Sequence, residues 1–135
     1  LMKKMYCYYR SKVEAHVTSQ LEGKNEYKQR FYSRWQALYL YYTRNPKVLQ
    51  FFEQFINSPY NQERSPHHFT GAYFTFLKEG VDNKYLKPAK PEIYVAMYMG
   101  SVIMASKINV FGSILLDEND RELLINKLWY GMADI

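Results

Sequence analysis

Hydrophobic residues recur every three or four positions along this chain, and no convincing two-residue alternation interrupts them. That period belongs to helices with one apolar face. Val13, Val17 and Leu21 repeat every four residues behind Ser11-Lys12-Val13-Glu14, a capping-box pattern that predicts a helix start, with Gly23 as its stop. Tyr27, Phe31, Trp35, Leu38 and Tyr42 predict a helix over 26–44. Tyr32 and Tyr39 widen this stripe beyond what one neighbour covers, so the helix is expected to be central. Asn45-Pro46 ends it and opens a short helix carrying Val48, Leu49, Phe52, Phe55 and Ile56, which Asn57-Ser58-Pro59 breaks.

Ser65-Pro66 predicts the next start, followed by Phe69, Ala72, Tyr73, Phe76 and Leu77, with Gly80 as a C-terminal cap. Residues 81–90 read as a loop. Pro91-Glu92 opens the longest apolar helix, to about residue 109. Ile93, Ala96, Met97, Gly100 and Met104 mark one side of it; Tyr94, Tyr98, Ser101 and Ala105 mark another. A helix apolar on several sides is buried on several sides. A last helix opens near Asp117, with acids in its first turn where the macrodipole favours them, and carries Leu124, Ile125, Leu128, Trp129 and Met132. The expectation is an all-α bundle of about six helices.

Composition bounds this picture. At 135 residues and 16.2 kDa the chain suits one domain, with 47% hydrophobic and 23% charged residues. The net charge is +5, spread through the loops. A single cysteine, Cys7, excludes an internal disulfide framework. The longest charge-free stretch, 93–106, is shorter than the about 20 residues that cross a bilayer. Neither a signal peptide nor a membrane partner is expected, and a cytoplasmic location is the default.

Chemistry-bearing motifs are scarce. Among His16, His67 and His68, His67 shares one helical spacing with Glu63, but no Glu-x-x-His motif exists and a metal needs more ligands than this pair; no Gly-rich phosphate loop or Gly-x-Ser-x-Gly elbow occurs. No catalytic residue, metal site or cofactor is expected, and the chain does not read as an enzyme. The informative excess is aromatic: 18% of residues, with 14 Tyr. A core of large side chains and a cavity with aromatic walls are both compatible with it. Buried phenols need hydrogen-bond partners, which a small dry core supplies with difficulty.

The order of motifs resembles the TetR family of bacterial transcriptional regulators. Met5-Tyr6-Cys7-Tyr8-Tyr9-Arg10-Ser11-Lys12 is similar to the family's segment joining the recognition helix to the fourth helix. Phe51-Phe52-Glu53-Gln54-Phe55-Ile56-Asn57-Ser58-Pro59 is similar to a sixth-helix ending. Glu79-Gly80, Leu86-Lys87-Pro88 and Pro91-Glu92 follow the seventh-to-eighth connection, and Leu128-Trp129-Tyr130-Gly131-Met132 fits the C-terminal helix. The family's first two helices and most of its third have no counterpart in these residues. Residues 1–12 are thus expected to be the remnant of a helix-turn-helix domain, and 13–135 a ligand-binding and dimerisation domain.

The resemblance implies a repressor that forms a homodimer and leaves its operator when a small lipophilic or aromatic effector enters. Operator DNA would be read only with an N-terminal helix-turn-helix. The expected ligand-binding residues are Trp35, Tyr39, Phe52, Phe55, Tyr73, Phe76, Tyr94 and Tyr98. Tyr6 and Lys12 match positions that touch operator phosphates in the family. The expected dimer interface comprises Ala96, Gly100, Met104, Leu124, Leu128 and Trp129. The rival reading is a helical dimerisation or protein-interaction module with no small ligand, its aromatics serving only as core.

Overall fold

A computed structural model describes residues 2–56 and 71–135. Six helices account for most of them: α1 (Met2–Gln20), α2 (Tyr27–Arg44), α3 (Pro46–Ile56), α4 (Ala72–Asp82), α5 (Pro91–Gly112) and α6 (Glu118–Met132). The architecture is all-α, as the periodicity predicts. Among the described residues the β-type pairing is a single antiparallel bridge between Leu86 and Ala133. Hydrogen bonds from Lys87 N to Met132 O (2.8 Å) and from Asp134 N to Tyr85 O (3.0 Å) extend it. This clasp ties the connection after α4 to the end of α6.

The wide stripe of α2 explains its central place. It packs against α1, α3, α5 and α6, burying Tyr27, Phe31, Trp35, Leu38, Tyr39 and Tyr42. Helix α4 packs on α5, and α1 on α3. Helix α6 opens beside Asp117 as expected, and Asp117 also caps it: its carboxylate accepts from Asp120 N (2.8 Å), and Asp120 returns a carboxylate to Asp117 N (3.2 Å). After α1 the chain turns through Gly23, whose φ of +78° lies in the left-handed region that glycine adopts without strain.

Several expectations are corrected. Ser11 caps nothing, because α1 begins nine residues earlier, at Met2, and runs unbroken past residues 12 and 13. Amides near Ser11 already bond within the helix, so the capping box has no orphan donors to satisfy. Gly80 is no helix end either; it lies inside α4, which continues to Asp82. A Cβ there would collide with the Tyr27 hydroxyl and sit 2.7 Å from Leu86 Cδ1, so Gly80 is a close-packing residue. Helix α5 extends to Gly112 and, at 22 residues, is long and apolar enough to cross a membrane by length and composition. The charge-free stretch 93–106 is only part of this helix, which also takes in Glu92 and Lys107. The starts and breaks expected at Asn57-Ser58-Pro59, Ser65-Pro66 and Phe69, and the residues His67 and His68, lie outside the described residues.

Candidate ligand cavity and outer face

Five helices line a partly open cavity of about 200 Å³. Helix α1 contributes Tyr6, Arg10, Val13 and Glu14; α2 contributes Leu38 and Tyr42. Phe52 comes from α3, Tyr73 from α4, and Val95, Met99 and Ile103 from α5. The spacing of the α1 set puts it on one helical face. The α5 set recurs every four residues, so it too lies on one face. The walls are therefore mostly apolar, and the charged groups all come from α1. The volume is below the about 300–1,000 Å³ of drug-sized pockets, which limits an occupant to a compact molecule.

Burial governs the phenols here. Tyr6 is stacked on Phe55 (centroids 4.2 Å apart), and burial raises its pKa against the opposing charge and hydrogen bond of Arg10. Tyr73 is pushed up to about 12 by burial, again against Arg10. Burial, reinforced by the Glu14 charge, also raises Tyr42. All three hydroxyls are thus neutral near pH 7, able to donate as well as accept.

Behind Glu14 lies Arg34, a buried charge on α2 with 7% of its surface exposed. Its Nη1 is 3.6 Å from a Glu14 carboxylate oxygen, and its guanidinium carbon is 5.2 Å from the Phe76 ring centroid. Among the described residues, Arg34 Nε and Nη1 have no hydrogen-bond partner.

Of the eight residues expected to line a pocket, Phe52 and Tyr73 do so. The other six pack in the core beside it. Trp35 stacks on Tyr39 and donates its indole N–H to Ser101 Oγ (3.0 Å). Tyr39 accepts from Leu116 N (3.3 Å), and Phe76 stacks on Tyr27. Tyr94 donates to the Lys87 carbonyl and Tyr98 to that of Phe31, each at 2.6 Å. Phe55 is fully buried against Tyr6. Tyr27, Tyr94 and Tyr98 donate to backbone carbonyls, so these phenols need no cavity to stay satisfied.

The two residues expected at phosphates are placed differently from each other. Tyr6, 7% exposed, faces the cavity and not the outer surface. Lys12 is exposed in the middle of α1, not at that helix's N-terminus, its Nζ 5.3 Å from the Tyr8 ring centroid.

Ala96, Gly100 and Met104 lie on an exposed face of α5 that also carries Ile93, Met97, Ile108 and Phe111. A Cβ on Gly100 would meet nothing within 4 Å. On α6, Leu124 and Leu128 are half-buried, whereas Leu123 and Tyr130 are exposed. Trp129 is buried in the core of the protomer, its ring packed edge-on to Phe31 at 5.1 Å. Helix α5 thus has three apolar faces, one toward the core, one lining the cavity and one outward.

No family model matches the sequence, and no curated protein matches it. Among solved structures, the fold matches a TetR family transcription regulator from Marinobacter aquaeolei VT8. The TM-score is 0.81 over 99% of this chain and 72% of that one. The chain has a TetR-regulator fold. At 16% identity the likeness is one of architecture.

Proposed function

We propose that this chain is the effector-binding and dimerisation part of a TetR-like transcriptional repressor in the cytoplasm. A compact lipophilic or aromatic molecule enters the cavity and favours a dimer shape unfit for the operator. With a helix-turn-helix N-terminal to these residues, the dimer binds operator DNA. Such coupling between two sites is typically about 1–3 kcal/mol. The observation that carries this reading is the cavity at the junction of five helices, with α5 forming one wall and presenting a second apolar face outward. An exposed apolar face of this kind suits a second copy of the chain.

The rival, a dimerisation module with no small ligand, is favoured by the modest volume of the cavity. A cavity-filling variant separates the two. Ile103→Trp should abolish binding of compact aromatic compounds that raise the melting temperature of the wild type, while leaving the dimer intact. If no such compound shifts the wild-type melting temperature, the interaction-module reading replaces the ligand-binding one.

A further inference from the structure

We propose that the cavity takes a compact carboxylate, its apolar body against Phe52, Val95, Met99 and Ile103 and its charged head at Arg10 and Tyr42. The proposal rests on the ligand-binding reading above and names the chemistry of the ligand.

The charges around the cavity do not cancel. Glu14 is opposed from behind by the buried Arg34, 3.6 Å away, on a different helix. Arg10, one turn before Glu14 on α1, forms no ion pair among the described residues. Two guanidinium groups and one carboxylate leave one positive charge at the cavity's polar end. Half-buried among apolar side chains, such a charge is less screened than in open water and favours an anion.

Arg10 is held where it can be used. Gly71, buried at the start of α4, has no side chain, and the Arg10 guanidinium occupies the place of the missing Cβ. Tyr6 lies within hydrogen-bonding reach of the same group. A planar guanidinium fixed at a cavity wall suits a carboxylate, because its paired N–H groups match two oxygens. Tyr42 adds a donor: it lines the cavity as a buried, neutral phenol.

The alternatives meet a physical obstacle. An ammonium ligand would have to draw Glu14 away from Arg34, and Arg34 already has two buried donors with no hydrogen-bond partner. Stranding a buried charge is strongly unfavourable. An uncharged ligand displaces water from Arg10 without replacing its interactions.

Three probes of nearly equal size test this: phenylacetate, phenylacetamide and phenethylamine, titrated calorimetrically at pH 7 against the wild type, Arg10→Gln and Ile103→Trp. The wild type should bind phenylacetate at least tenfold more tightly than the amide, with the amine weakest. Arg10→Gln should lower phenylacetate affinity at least tenfold. An amide or amine that binds as tightly as phenylacetate overturns the carboxylate assignment, as does an unchanged preference in a folded Arg10→Gln. The wild-type ranking decides alone if that variant does not fold. If Ile103→Trp abolishes binding of all three probes while their affinities for wild type are equal, the cavity reading stands and only the carboxylate is lost. If none of the three binds the wild type, both fall.

Discussion

Tyr98 donates its hydroxyl proton to the carbonyl of Phe31 across 2.6 Å, joining α5 to α2 in the fully buried centre of the bundle. The bond links residues 67 positions apart and uses an α2 carbonyl as a second acceptor site. Tyr98→Phe leaves the packing volume but strands that polar link. It should cost about 1–2 kcal/mol, measured by urea unfolding. Tyr98→Ala should cost about 3–5 kcal/mol. An unchanged unfolding midpoint for Tyr98→Phe would show that the bond adds nothing.

Gly80→Ala tests the close approach of α4 to Tyr27. The new methyl would displace the Tyr27 hydroxyl from its 3.0 Å bond to the Phe76 carbonyl and press on Leu86. Overpacking of this kind typically costs about 1–3 kcal/mol. The ordinary helix preference for alanine would instead stabilise by up to about 1 kcal/mol. The sign of the change in melting temperature therefore decides between a packing glycine and an incidental one.

The outward face of α5 predicts the oligomeric state. Light scattering at micromolar concentration should give twice 16.2 kDa. Gly100 has open space around its Cβ position, so Gly100→Arg fits the single protomer and should act only between protomers. It should raise the dimer dissociation constant at least tenfold, the scale of a central interface contact. A wild-type monomer, or a dimer indifferent to this change, would exclude the face.

These helices were partly legible in the sequence, and the misses have physical causes. The α2 stripe is wide enough to show a central helix, and the acids after Asp117 mark the first turn of α6. The Ser11–Glu14 box was misleading because its pattern is equally possible inside a continuous helix. A start at Ser11 leaves Tyr6 and Arg10 off the helix and so hides the face they share with Val13 and Glu14 at the cavity. In α5 the apolar residues surround the axis, so the pattern carries no phase. Nothing in it could distinguish Val95, Met99 and Ile103 at the cavity from Tyr94 and Tyr98 in the core. On α6 the outer and inner lines are neighbouring positions: Leu123 and Tyr130 face out, while Ile125 and Trp129 face in.

Alkaline solution should unfold this protein through its tyrosines. Burial raises the pKa of Tyr42, Tyr73 and Tyr98 above the ordinary value near 10, with Tyr73 at about 12. The folded form then keeps protons that the unfolded form loses, so rising pH favours unfolding. Stability from these groups is fully present below pH 10 and is lost as pH climbs toward 12. Urea midpoints should match at pH 7 and 8 and fall between pH 10 and 11. Absorbance at 295 nm should show a set of phenols that ionise only on unfolding; simple titration of all 14 in the folded state would refute this.

The hydroxyls of Tyr27, Tyr94 and Tyr98 each reach one particular carbonyl on a different part of the chain. Hydrocarbon faces alone tolerate sliding, because one leucine ridge fits the next groove nearly as well. A phenol does not: moving one helix along its neighbour by a single turn, about 5.4 Å, leaves the oxygen against apolar atoms. The aromatic excess therefore acts as a set of index pins. It allows a bundle rich in large, interchangeable rings to choose one alignment, and it makes the alignment of α2 against α5 depend on single oxygen atoms.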